Sequence, residues 1–333
     1  MSRKRRLTSI VFFSLLSSSA LAATQPTSIP PSMPTNPGMT TSGSSDNSMS
    51  GAQGTQQLEN DALEATKSEF DQYKSNLPDW FQRIDYAVWM QDYVKPSWYI
   101  RTIQPIHRWK NNIFFTQDQV SYQQNRTTSN IGLGYRRLVD DKKLILGINS
   151  FYDREWHYQQ DRLGAGLEAI GQYITLRTNF YQALSSQSAT NTVAGVTTYE
   201  KALDGYDIGA ELPVPFLQWA RFTYTRYYWW RAGLPNVRGN TFEFDLYPTS
   251  NIEADLGVTK DNTMNTSYFL NLSWHFGRPA RIEYAASTQP ATKHAFVARD
   301  LTKHMLDYVK RENYVIVANT QSGSGGVTIQ RGN

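Results

Sequence analysis

From about Arg83 to Phe276, apolar and polar residues alternate in segments of about ten, separated by turn chemistry. A period of two puts the two kinds of residue on opposite faces of a strand. In the last segment, Tyr268 to Phe276, Leu270, Leu272, Trp274 and Phe276 share one face, while Asn271, Ser273 and His275 share the other. Upstream, Ile131, Leu133 and Tyr135 oppose Gly132, Gly134 and Arg136, and Leu163, Ala165 and Leu167 oppose Arg162, Gly164, Gly166 and Glu168. Phe242, Phe244 and Leu246 oppose Thr241, Glu243 and Asp245, and Ile252, Ala254, Leu256 and Val258 oppose Glu253, Asp255 and Gly257. One face is oily and the other charged.

A soluble sandwich also alternates, but its polar face meets bulk water and favours Lys, Glu and Thr. Here that face is rich in Gly, Arg and carboxylates, as in a narrow lumen where charges must pair. The candidate lumen-lining residues are Arg136, Arg162, Arg177 and Arg221 against Asp153, Glu168, Asp207, Glu211, Glu243, Glu253 and Asp255. Trp98, Tyr152, Trp219, Tyr228, Trp229, Tyr247 and Trp274, near strand ends, fit two interfacial girdles. Twelve strand runs are expected, starting at about Arg83, Ser97, Asn112, Thr128, Lys143, Asp161, Tyr173, Gly205, Trp219, Asn240, Asn251 and Asn265. The links at Arg108–Asn111, Asp140–Lys142, Ile170–Gln172, Pro213–Leu217 and Pro248–Ser250 are short, whereas Ser185–Asp204 and Trp230–Gly239 are long. Short turns belong to the periplasmic rim of an outer-membrane barrel and long loops to the outside, and an even strand number returns the chain to its starting side. The expected fold is all-β, a twelve-stranded antiparallel transmembrane β-barrel of the bacterial outer membrane.

The flanks differ in character. Residues 1–22 read as a secretory signal, with Arg3, Lys4, Arg5 and Arg6 before the apolar run Leu7 to Leu16 and small residues at Ala20 and Ala22. That run is about half the length a membrane-spanning helix needs. Residues 23–57, Ser, Thr, Pro, Gly, Met and Gln with almost no charge, are expected to be a disordered linker. Leu58, Leu63 and Phe70 among charged residues, broken by Pro78, predict a short periplasmic helix over 58–80 ahead of a barrel over 81–276. Beyond it, over 277–317, Val297, Leu301, Met305 and Tyr308 predict a helix at Ala295 to Val309, and 318–333 is expected to be a short flexible tail.

Composition agrees with this architecture. Aromatics are 13%, charged residues 19% and hydrophobics 40%, as expected when each strand shows lipid only at every second residue. There is no cysteine, which excludes disulfides, thiolate catalysis and sulfur-based zinc sites. The net charge of +4 equals the contribution of the four basic residues of the leader, so no electrostatic footprint for nucleic acid remains. GAGLEA at Gly164 to Ala169 fits a bare dinucleotide pattern but opens no helix in a βαβ unit, so its glycines are expected to leave luminal space. His107, His157, His275, His294 and His304 have no metal spacing, and no His is followed two residues on by the Ser that an outer-membrane lipase would use. No catalytic, cofactor-binding or metal site is expected, and no cofactor.

NIGLGYRRLVDDKKLILGINSFYDREW at Asn130 to Trp156, followed by DRLGAGLEAIGQYITLRTNFYQALS at Asp161 to Ser185, resembles the β-domain of the inverse autotransporters, the intimin and invasin family. RTIQPI at Arg101 to Ile106 and GYDIGAELPVP at Gly205 to Pro215 are similar to further strands of that domain. The resemblance implies a type V secretion anchor inserted by the barrel-assembly machinery, whose chain turns back after the last strand, crosses the lumen and displays a passenger for cell adhesion. VKRENYVIV at Val309 to Val317 resembles the stretch that threads the pore, with Arg311, Glu312 and Asn313 expected to face the luminal charges. About nine or ten extended residues span a hydrocarbon core. Only sixteen residues follow Val317, against about 100 for one immunoglobulin-like domain, so a short exported tail without an adhesive passenger is expected. Adhesion would then fall to the loops Ser185–Asp204 and Trp230–Gly239. The expected partners are outer-membrane lipid, the barrel-assembly machinery and an unidentified cell-surface ligand, with no nucleic acid. The alternative function is a porin-like small-solute channel.

Overall fold

A computed structural model describes residues 83–92, 94–193, 196–231, 235–263, 266–277, 294–321 and 324–330. The signal, linker and short helix expected before the barrel lie outside the described residues, as do 278–293 of the region after it. Alternation produces strands in the chain order β1 Arg83–Gln91, β2 Val94–Trp109, β3 Asn112–Gln123, β4 Arg126–Val139, β5 Leu144–Glu155, β6 Gln160–Gly171 and β7 Thr175–Ala183. After β8 Ser188–Val193 and β9 Val196–Ala202 come β10 Gly205–Val214, β11 Leu217–Trp229, β12 Val237–Thr249, β13 Ile252–Asp261, β14 Ser267–Gly277, β15 Val317–Gln321 and β16 Ser324–Gln330.

Strands β1–β7 and β10–β14 close into a twelve-stranded antiparallel barrel. Neighbours in sequence are neighbours in space, except that β7 pairs with β10, and the seam is the β1–β14 ladder from Arg83↔Gly277 to Gln91↔Phe269. The largest offsets from the expected strand starts are three residues, Ser97 against Val94 and Asn240 against Val237. Closure satisfies every strand edge, the only way a sheet can cross hydrocarbon without exposing unpaired backbone.

The distribution of side chains is inverted relative to a water-soluble protein. Ile131 is 58% exposed and Ile148 55%, and Leu133, Leu163, Leu167, Phe242, Phe244 and Leu256 share that outer face. Arg136, Asp153 and Arg162 are fully buried inside. A continuous apolar belt of this size is a surface for lipid. The links β2–β3, β4–β5, β6–β7, β10–β11 and β12–β13 are tight turns on one rim, and the two long connections, 184–204 and 230–236, lie on the other.

Several expectations need correction. The helix over Ala295 to Val309 is absent; a single 3-10 turn, Leu301–Lys303, stands in its place. The cause is competition for backbone groups. Arg136 Nη1 donates to the carbonyls of Met305 and Asp307, and Val309 N donates to Gln117 Oε1 at 2.8 Å, so the barrel wall uses groups an α-helix would pair internally. Leu301, Met305 and Val309 still face inward together, packed on Ile103, Ile113, Phe115, Leu138 and Ile145. The tail expected to be flexible forms β15 and β16, which with β8 and β9 of the long loop make a four-stranded sheet in the order β16-β15-β9-β8. Trp229 and Tyr247 are luminal and not girdle residues, because they continue the inward alternation of Arg221 and Asp245.

Candidate functional site: the occupied lumen

Most backbone donors and acceptors of the wall are consumed by the barrel ladders, so side chains do most of the holding inside it. What they hold is the chain itself. Arg299 binds the carbonyl of Gly171 at 2.7 Å, at the short-turn rim, and the carbonyl of Ile316 accepts from Leu203 N at 2.9 Å, beside the long loop. The residues between these points cross the lumen.

Three layers are visible along the crossing. Nearest the short turns, Leu301, Met305 and Val309 make an apolar stopper, with Leu306 and Tyr308 partly buried against it. Its polar backbone is tied down by Arg136, itself held by Glu168 through two 3.0 Å bonds. Next comes a charged layer. Arg311 donates to both oxygens of Asp153 at 2.7 and 2.6 Å, and Arg162 Nε donates to the same carboxylate at 2.9 Å. Lys310 is ion-paired to Asp245 and lies 3.4 Å from Glu211 and 4.0 Å from Glu243. Nearest the long loops, Ile316 and Ala318 join Tyr181, Leu203, Tyr227, Trp229 and Val237 in an apolar collar.

Much of the grip falls on the backbone of the crossing segment. Asn130 Nδ2 donates to the carbonyl of Asn313 at 2.8 Å, Arg162 Nη2 to that of Glu312 at 2.7 Å, and Asn179 Nδ2 to that of Lys310 at 3.2 Å. Tyr181 Oη accepts from Glu312 N at 2.8 Å and donates to Asp207 at 2.5 Å. Gly164 is needed here: a Cβ at that position would lie 2.9 Å from Arg311 Nη2.

The remaining candidates face inward in other pairings. Arg221 is paired to Glu211, which also meets Arg299 at 3.4 Å. Arg177 donates to Thr225 at 2.8 Å, and the missing side chain of Gly209 makes room for its guanidinium. Glu253 accepts from Tyr247 at 2.7 Å and lies 3.3 Å from His275 Nε2, while Asp255 accepts from Asn271 at 2.7 Å. In the threading trio, Arg311 makes the charge pair, Glu312 accepts from Tyr314 N at 3.0 Å, and Asn313 reaches Gln119 at 3.3 Å. Carboxylate oxygens of Glu243, Asp245 and Asp255 come within 4.8 Å of one another, the geometry of a cation site, and Lys310 of this chain supplies positive charge there.

Reading the charged alternation alone overlooks Asp85, Arg101, Gln117, Asn130, Asn179, Tyr181 and Lys310. Arg101 pairs with Asp85 at 3.1 Å and stacks 4.0 Å over the ring of Tyr308. A signal existed for part of this set. Asn130 continues the inward series of Gly132, Gly134 and Arg136. Beside the crossing segment is a cavity of ≈ 200 Å³ lined by Glu243, Glu253, Asp255 and Asn271 of β12–β14 and also by Gln119 of β3 and Arg177 of β7, among others.

Residues 39–313 match the family model described as the inverse autotransporter β-domain. An uncharacterized Escherichia coli protein, YchO, is 30% identical over 122 residues, 37% of this chain and 24% of that protein. The inverse autotransporter adhesin YeeJ of Escherichia coli is 23% identical over 229 residues, 65% of this chain and 9% of that protein. The chain therefore spans less than a quarter of the length of these two relatives. Among solved structures, a membrane protein from work on the mechanism of in-meso crystallization superposes with a TM-score of 0.57 at 17% identity, covering 72% of this chain and 100% of the other, a likeness of fold.

Proposed function

This chain belongs to the inverse autotransporters, as an outer-membrane β-barrel, and from that premise we propose that it anchors its own C-terminal segment and carries it through the lumen to the cell surface. One observation carries the reading: an unbroken path from Arg299 at the short-turn rim, through Lys310 and Arg311 inside the wall, to β15 beside the long loop. Short turns face the periplasm and long loops the exterior, so the path runs outward. A crossing segment gripped through its carbonyls suits a conduit, because a carbonyl is present whatever residue passes.

Because the chain has no cysteine, one thiol introduced by Thr328→Cys reports on the tail alone. A membrane-impermeant maleimide is expected to label it on intact cells. Labelling only after the outer membrane is permeabilised overturns the reading.

A second reading, passage of small solutes, is favoured by the ≈ 200 Å³ cavity with its charged lining. Steady conductance in planar bilayers, unchanged on deleting residues 309–333, would favour the channel and remove the plug. Adhesion through the surface loops is a further part of the proposal, and the relative YeeJ is described as an adhesin. Replacing 185–204 with a Gly/Ser linker is expected to weaken binding of whole cells to a host surface, and unchanged binding ends that part.

A further inference from the structure

The exported segment does not leave the barrel as a free end. At the mouth, Leu203 N meets the carbonyl of Ile316, and the next residues pair with β9 from Val317↔Ala202 to Gln321↔Thr198. Strand β9 is held to the rim by contacts that do not involve β15. Glu200, fully buried, accepts two 2.6 Å bonds from Arg126 of β4, and Ala202 N donates to Gln160 Oε1 of β6 at 2.9 Å. Gln160 also reaches Ser188 Oγ of β8 at 3.1 Å, and β8 covers the far edge of β9. Before the tail arrives, β9 would therefore present one unpaired edge directly over the lumen mouth, the arrangement that adds an incoming strand.

We propose that the β8–β9 hairpin is a receiver for the emerging chain: β9 captures residues 317–321 as they clear the lumen and so stops export in register. The stop leaves Lys310 and Arg311 level with Asp245 and Asp153. The carbonyl contacts inside the wall carry little sequence information, so pairing beyond the mouth adds a second register mark to the one set by the Arg311–Asp153 and Lys310–Asp245 pairs. The inference rests on the export reading and deepens it.

The test separates the two. In the otherwise intact protein, the pair Tyr199→Cys and Thr320→Cys, partners in the ladder, is expected to form a disulfide on the cell surface. No disulfide, with Thr328→Cys still labelled on intact cells, overturns the receiver and leaves export standing. Leu203 N points to β15, so alternation directs the N–H of Lys201 the same way, and Lys201→Pro removes a donor to β15 while sparing the ladder to β8. With Val315→Cys as reporter, buried at the mouth against Ala202 and Val317, Lys201→Pro is expected to raise maleimide labelling roughly tenfold, because local opening sets protection. Replacing 188–200 with a Gly/Ser linker should do the same. Folded barrel mobility on unheated gels shows that the wall is intact, and unchanged protection of Val315→Cys in both variants overturns the proposal. If Thr328→Cys is dark in the parent, export and receiver fall together.

Discussion

The two sides of the lumen treat the crossing segment differently. Strands β3–β7 meet it with Gln117, Asn130, Arg136, Asp153, Arg162, Asn179 and Tyr181, each bonded to its backbone or to Arg311. On the side of β11–β14, Lys310 reaches across to Asp245 and Glu243, and beside it lies the ≈ 200 Å³ cavity. On the gripping side Gly164 lies under Arg311, and a Cβ there would come within 2.9 Å of its Nη2.

That asymmetry can be broken at one residue. Asp153→Ala strands two buried guanidinium groups, Arg162 and Arg311, and removing one partner of such a pair costs about 3–5 kcal/mol. We expect the plug to be released, read as higher conductance and a lower unfolding midpoint for the barrel. Gly164→Leu attacks the same wall by crowding Arg311 instead of discharging it. Overpacking of this kind costs about 1–3 kcal/mol, and the expected outcome is a displaced plug, measured by faster labelling of Val315→Cys, in a barrel that still folds. On the cavity side, Asp255→Asn alters a group bonded to Asn271 and not to the plug, with an expected change in stability below about 1 kcal/mol. Its effect belongs in the ion preference of any residual current. If Asp255→Asn opens the lumen as much as Asp153→Ala, the two walls are equivalent and the comparison fails.

The surface sheet shows where a pattern in the chain stops being informative. Strands β8, β9, β15 and β16 lie outside the barrel, where no oily face is demanded, and SATNTV and VANTQ have no strong period of two. They are strands because each completes the edge of another. Likewise, of Val297, Leu301, Met305 and Tyr308 the last three pack in the interior while Val297 is exposed, and the segment is not a helix, because the carbonyls of Met305 and Asp307 are taken by Arg136.

What the amino-acid order determined by itself is the barrel: each of its strands separates the same two environments, lipid and a polar lumen, and that constraint is written locally at every second residue. Which luminal groups meet was decided by tertiary structure, since partners such as Asp153 and Arg311, or Glu200 and Arg126, are set by strand stagger and by the path of the returning chain. Neutral side chains such as Asn130 and Tyr181 acquire their role only when a backbone with unpaired carbonyls and amides is laid against them.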